Sequence, residues 1–164
     1  MGARALCLAT ALAALASPAS ASAALAYGGH LDAALGYGTG QPAGFRANLD
    51  FGVHFGPKFD TETGGLFDTG SGFIVGVDGA LGFRDRFPVD LVLEAGFVKS
   101  NGVAGIGVAG GPALRVNPSL GGGFEVRVFG DILFVEVGVK LSAIFGGGSE
   151  VQILGVVGFG FTLL

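Results

Sequence analysis

The sequence predicts an all-β fold, an antiparallel up-and-down transmembrane β-barrel of about eight strands behind an N-terminal signal peptide. Three observations carry that expectation. Charged residues are scarce, at 13% against the roughly 25% of an ordinary soluble domain, and mean hydropathy is +0.66. Yet no stretch after residue 23 holds the ~18–20 uncharged apolar residues that a membrane helix needs. Instead, apolar residues return at every second position from Leu25 onward, the period of a strand with two unlike faces.

Residues 1–23 read as a secretory signal. Arg4 supplies a short positive region, Ala5 to Ala16 an apolar stretch, Pro18 a break, and Ala21-Ser22-Ala23 a small-x-small cleavage site. That leaves residues 24–164 as one barrel domain. The chain's single cysteine, Cys7, falls inside the signal, so the mature chain would offer no disulfide and no thiol nucleophile.

Eight segments follow. In the first, Leu25, Tyr27, Leu31, Ala33, Leu35 and Tyr37 share one face, and His30, Asp32, Ala34 and Gly36 the other. After a turn-like stretch at 38–43 comes Phe45, Ala47, Leu49, Phe51, Val53 and Phe55 against Arg46, Asn48, Asp50 and His54. The third sets Phe73, Val75, Val77, Leu81 and Phe83 against Ile74, Asp78, Ala80 and Arg84, and the fourth Val89, Leu91, Leu93, Ala95 and Phe97 against Asp90, Val92 and Glu94. The fifth is weaker, with Ala104, Ile106, Val108 and Leu114 opposing Ala109 and Arg115. The sixth opposes Phe124, Val126 and Val128 to Glu125, Arg127 and Phe129, and a Gly130-Asp131 turn is expected to end it. The seventh has Leu133, Val135, Val137, Val139 and Leu141 against Phe134, Glu136, Lys140 and Ser142. The last runs Val151, Ile153, Gly155, Val157, Phe159, Phe161 and Leu163 against Gln152, Leu154, Val156 and Thr162.

Within these segments every charge falls on the second face. A charge on the lipid face of a membrane barrel costs about 2–4 kcal/mol near the midplane, so such a face must exclude them. A soluble sandwich alternates as well, but it has shorter strands and needs more charge to wet its outside. Net charge is −4 with no basic run, which gives no case for nucleic-acid binding.

The chain's last segment, from Gly155 through Phe159, Phe161 and Leu163 to Leu164, resembles the C-terminal β-signal of outer-membrane proteins, although it closes on Leu164 where Phe is typical. With the signal peptide and eight alternating segments, the whole mature chain resembles the small outer-membrane barrels of the OmpA and OmpX type. That resemblance implies residence in the outer membrane of a Gram-negative cell envelope, insertion by the barrel-assembly machinery, and contact with outer-membrane lipid and lipopolysaccharide. It also implies periplasmic termini and external connections at 38–43, 84–88, 117–122 and 145–149. The longest connection, Pro57 to Gly70, would then be periplasmic.

If the second face lines the lumen, it brings Asp32, Asp50, Asp78, Asp90, Glu94, Glu125 and Glu136 together with Arg46, Arg84, Arg115, Arg127 and Lys140. Buried charges persist only when paired or hydrated, so an ion-paired network is expected. Arg46, Arg84, Arg115 and Lys140 should lie toward the external end, and Asp32, Asp50, Asp78, Glu94 and Glu136 nearer the middle. The leading expectation is a structural or surface-interaction protein with a plugged lumen. A small porin-like channel for water, ions or solutes is the alternative, and an outer-membrane lipid-modifying enzyme the third. A hairpin register would place His30 near Asp50, a base and its orienting carboxylate. A nucleophile beside them is missing, and no metal or cofactor motif occurs, so neither catalysis nor a cofactor is expected.

Overall fold

A computed structural model describes residues 25–40, 42–62, 69–84, 86–101, 103–146 and 149–163. The expected signal segment and Leu164 lie outside them. The strands are β1 (Leu25–Gly38), β2 (Gly44–Glu62), β3 (Thr69–Gly82), β4 (Val89–Ser100), β5 (Ala104–Asn117), β6 (Gly121–Ile132), β7 (Val135–Phe145) and β8 (Glu150–Leu163). Each pairs with its chain neighbour, and β8 closes antiparallel on β1. The fold is the closed eight-stranded up-and-down barrel that the period-two pattern predicts.

The pairing register fixes the barrel's width. Stepping across partners from Tyr27 leads through Phe55, Val75, Ala95, Gly110, Val126, Leu141 and Ile153 and returns to β1 at Tyr37, a stagger of ten residues (27 to 37). With eight strands about 4.8 Å apart, that stagger tilts them by roughly 40° and gives a radius of about 8 Å. Such an interior admits side chains and little else.

Tilt and alternation sort the residues. The second face points inward and is buried almost throughout, while the first face is exposed. Of the described aromatic side chains only Phe129 points in, and most of the others gather toward the two ends of the wall, with Phe51 and Phe159 between them on either side of Leu31. Tyr37, Phe45, Phe83, Phe87, Phe124 and Phe145 stand near the end that carries connections 39–43, 83–88, 118–120 and 146–149, here called the mouth. Tyr27, Phe55, Phe73, Phe97, Phe134 and Phe161 stand near the opposite, terminal end. Leu, Val and Ile dominate between them.

Strand ends differ from expectation in three places. β2 continues to Glu62 through a register shift between Phe59 and Thr61, so the second connection spans 63–68, not 57–70. β6 does not stop at Gly130-Asp131. It runs on to Ile132, and the turn is Leu133-Phe134, with Leu133 in the left-handed region at φ 59. The Gly-Asp pair misled because both residues serve the interior: Asp131 is a buried inward side chain. The longer β4 also adds one outward charge, Lys99, a single residue from the strand's end, where a long side chain can reach water.

Candidate functional site in the lumen

Inward side chains on adjacent strands would fill so narrow a barrel, yet many contacts join residues two strands apart. Glycines on the intervening strand make that possible. His30 and Asp78 both pair with Gly52, and the His30 ring lies where a Cβ on Gly52 would stand. Asp32 and Glu136 both pair with Gly158, and a Cβ there would meet Asp32 Oδ1. His54 and Thr162 likewise flank Gly28. The glycine-rich second face is therefore an interior of windows through which charges meet.

The polar groups form three tiers. At the mouth, Glu150 accepts from Arg46 Nε at 2.6 Å, from both terminal nitrogens of Arg84 at 2.5 Å, and from Arg115 Nη1 at 2.9 Å. Arg115 also grips Asp90 with a two-pronged fork, Nε at 2.6 Å and Nη2 at 2.7 Å, the strongest geometry open to this pair. One carboxylate thus ties β8 to β2, to β5 and to the segment after β3. Asn48 Nδ2 donates to Gln152 Oε1 just below, at 3.4 Å.

In the middle tier, Lys140 Nζ lies 2.5 Å from Asp50 Oδ2 and 3.5 Å from Glu125 Oε2. Arg127 Nη1 lies 3.2 Å from Glu136 Oε1 and 3.7 Å from Asp32 Oδ2, with its guanidinium carbon 4.6 Å over the Phe129 ring. His30 Nε2 is 3.6 Å from Asp78 Oδ2. Asp32, Asp50, Asp78, Glu94, Glu125 and Glu136 thus outnumber Lys140 and Arg127, even with His30 added. Both Asp32 oxygens, Asp78 Oδ1 and Glu94 Oε1 accept no hydrogen bond from the described protein groups. Buried carboxylate oxygens that accept no protein hydrogen bond are sites for bound water.

Toward the terminal end the lumen turns apolar, where Phe129 packs with Ile74, Val98 and Ala109. His54 Nε2 lies 3.2 Å from Thr162 Oγ1 beside this layer, and Ser100 Oγ donates to Thr162 O at 3.4 Å.

All the charged lumen residues named from the sequence reach this network or border it. Two placements differ. His30 faces Asp78, since the β1–β2 register sets it opposite Gly52 while Asp32 stands opposite Asp50. Lys140 belongs to the middle tier, because Ser142 and Ile144 lie beyond it toward the mouth on β7 and are buried too. Sequence reasoning missed Glu150 and Asp131. Asp131 was assigned to a turn and Glu150 was left between a turn and the last segment, although parity with Arg127 and with Gln152 puts each on the inward face. It also overlooked the Thr162 hydroxyl beside His54. Gly155, Phe159, Phe161 and Leu163 lie on the outward face of β8, which closes the ring against β1.

Family models, curated proteins and solved structures were compared with the chain, and none matches it.

Proposed function

We propose that this chain is an integral outer-membrane barrel, of the small OmpA and OmpX type, with a structural or surface-interaction role and a lumen plugged by paired charges. One observation carries the reading: along the described strands the wall's outside is apolar, with the single outward charge, Lys99, close to a strand end. Leu31, Leu93, Val137 and Val157 are 51%, 64%, 55% and 51% exposed at mid-wall, and the charges are turned inward. Water would penalise such a surface by about 25 cal/mol per Å² of apolar area, whereas lipid would not. Closure leaves no unpaired strand edge, as a hydrocarbon surround requires. The strands, 11 residues or longer, suffice for the ~9–11 tilted residues of a crossing. The signal-like leader would send the chain across the inner membrane, and the β8 ending would serve the assembly machinery.

The plug is supported by the mouth cluster, where Glu150 holds three arginines across the opening, and by the apolar layer around Phe129. A narrow cation path is the second reading, favoured by the acid excess of the middle tier and by its buried carboxylate oxygens that accept no hydrogen bond from the described groups. Catalysis has less support, because His54 and Thr162 are 4% and 3% exposed and sealed beneath the wall.

Migration of unboiled and boiled protein on a gel tests the membrane barrel. A folded band that shifts on boiling, from protein extracted only by detergent, is the expected result. A chain that stays soluble without detergent overturns it. Planar-bilayer recording tests the plug: silence is expected, and steady cation-selective steps would favour the path.

A further inference from the structure

Six buried polar side chains stand on one row of the wall. Partners on neighbouring strands carry the row from Thr162 on β8 through Gly28 and His54 to Gly76 and Glu94. Gly111 lies beside Glu94, one place from the Ala95↔Gly110 pair, and leads on through Glu125 and Ser142 to Gln152. The row thus makes one full turn of the barrel, leaving β8 at Thr162 and rejoining it ten residues nearer the mouth (162 to 152). Ten residues of a strand tilted by roughly 40° rise about 25 Å, the height of the apolar band on a membrane barrel.

A glycine separates each of Thr162, His54, Glu94 and Glu125 from the next, so these side chains can lean toward one another. A Cβ at Gly28 would meet the His54 ring, and one at Gly76 would meet Glu94 Oε1. His54 Nε2 lies 3.2 Å from Thr162 Oγ1. His54 Nδ1, Glu94 Oε1 and Ser142 Oγ make no hydrogen bond to the described protein groups, although all six residues are only 3–4% exposed. Polar atoms buried in this way take water as a partner.

The row also differs in kind from its neighbours. A hydroxyl and an imidazole each give and accept a hydrogen bond, and a carboxyl does so once protonated. Lysine and arginine only donate, and none stands on this row. Elsewhere in the lumen the acids are held by cations: Arg127 faces Glu136 and Asp32, and Arg115 grips Asp90. Lys140 approaches Glu125 at 3.5 Å but lies closer to Asp50, at 2.5 Å. On the next row, two residues along β1 and β3, His30 and Asp78 face each other.

We propose that this row is a proton wire through a barrel that is otherwise plugged. A proton passes between Thr162 and Ser142 by way of His54, Glu94 and Glu125, with water between them. His54 takes it on one ring nitrogen and releases one from the other. Each transfer moves a proton and no electron, so the wire regains its starting charge when the proton leaves. Gln152, which accepts from Asn48 Nδ2 at 3.4 Å, marks the mouth end. The row passes the apolar layer at His54, whose ring centroid is 6.5 Å from that of Phe129. The proposal rests on the membrane reading and goes beyond the plug, which stays closed to other ions and to solutes.

The test reconstitutes the full chain in phosphatidylcholine vesicles that enclose potassium and a pH-sensitive dye. Valinomycin lets potassium out, and the resulting inside-negative potential draws protons in. Entry several-fold faster than in protein-free vesicles is the expected result. Glu94→Gln, which keeps the side chain's shape, should return the rate to the protein-free level. Ser142→Ala, which removes one hydroxyl and no charge, should slow entry and carries the test if Glu94→Gln gives no folded band. Asp131→Asn, opposite Glu136 on another row, should leave the rate unchanged. A parent rate equal to that of protein-free vesicles overturns the wire, as does undiminished entry in either folded row variant. An equal loss in Asp131→Asn overturns its assignment to this row. In all these cases the gel shift still reports a folded membrane barrel. Potassium release without valinomycin, as fast as proton entry, means an open pore and overturns the wire and the plug. A chain that does not enter the vesicles overturns the wire and the membrane reading together.

Discussion

Asp32 and Glu136 stand on either side of Gly158, and both carboxylates turn to the same nitrogen, Arg127 Nη1, at 3.7 and 3.2 Å. One cation thus serves two acids in a tier where acids are already in excess, which makes the two signs unequal in what they contribute. Arg127→Met should destabilise the barrel by about 3–5 kcal/mol, because it leaves buried carboxylates without a counter-charge. Asp32→Asn should cost less than about 1 kcal/mol or stabilise, since it relieves repulsion and keeps the shape. Urea titration of the folded band in vesicles would read both. Equal losses for the two variants would mean that the tier is not acid-dominated.

The glycine windows give a sharper contrast. A Cβ at Gly52 falls on the His30 ring, and a larger side chain there would also occupy the passage from His30 to Asp78. Gly52→Val should therefore prevent closure of the barrel or cost several kcal/mol, in the range known for overpacked cores and broken buried pairs. At Gly122 nothing stands within 4 Å of an added Cβ, so Gly122→Ala should be neutral or stabilise by about 0.5 kcal/mol. Folding yield on the unboiled gel distinguishes them. A well-folded Gly52→Val would show that the interior is looser than these contacts imply.

How much of this was readable beforehand follows from period two. Alternation fixes each side chain's face without knowledge of partners, so the inward set from Asp32 to Lys140 could be named from the chain alone. Which inward residues meet depends on the ten-residue stagger, and that is a property of the closed ring. His30 was therefore matched with Asp50 along a hairpin, when it reaches Asp78 two strands away. Strand ends were obscured for another reason. Glycine signals turns in most folds, but here Gly130 lies inside β6. Reading it as a stop hid Asp131, and starting the last segment at Val151 left out Glu150, although the parity of their neighbours had already placed both inside.

Glu150 is where the mouth can be opened. Glu150→Gln keeps the side chain's shape and removes the charge on which Arg46, Arg84 and Arg115 converge. Asp90 alone then faces three guanidinium groups. The variant should lose about 3–5 kcal/mol of stability, the usual result of stranding buried charge. Whatever folds should conduct anions in planar bilayers where the parent chain is silent. A folded, silent Glu150→Gln would place the block at the Phe129 layer, and Phe129→Ala in the same background would then be required to open it.

The outward face gives the prediction that bears most directly on where the barrel lives. Leu93 is 64% exposed at mid-wall on β4, and in a soluble protein such a position accepts a charge at almost no cost. In a bilayer the same position is the expensive one. Leu93→Arg should cost about 2–4 kcal/mol there, falling to about 0–1 kcal/mol for a charge near the interface, which is where the native Lys99 stands. Unfolding measured in vesicles for Leu93→Arg and for Ser71→Arg, close to Lys99 on the paired strand, compares the two depths on one wall. A large penalty at residue 93 with a small one at residue 71 is the signature of hydrocarbon around the barrel. Equal, negligible effects would mean that water bathes the whole wall, and the membrane reading would fall.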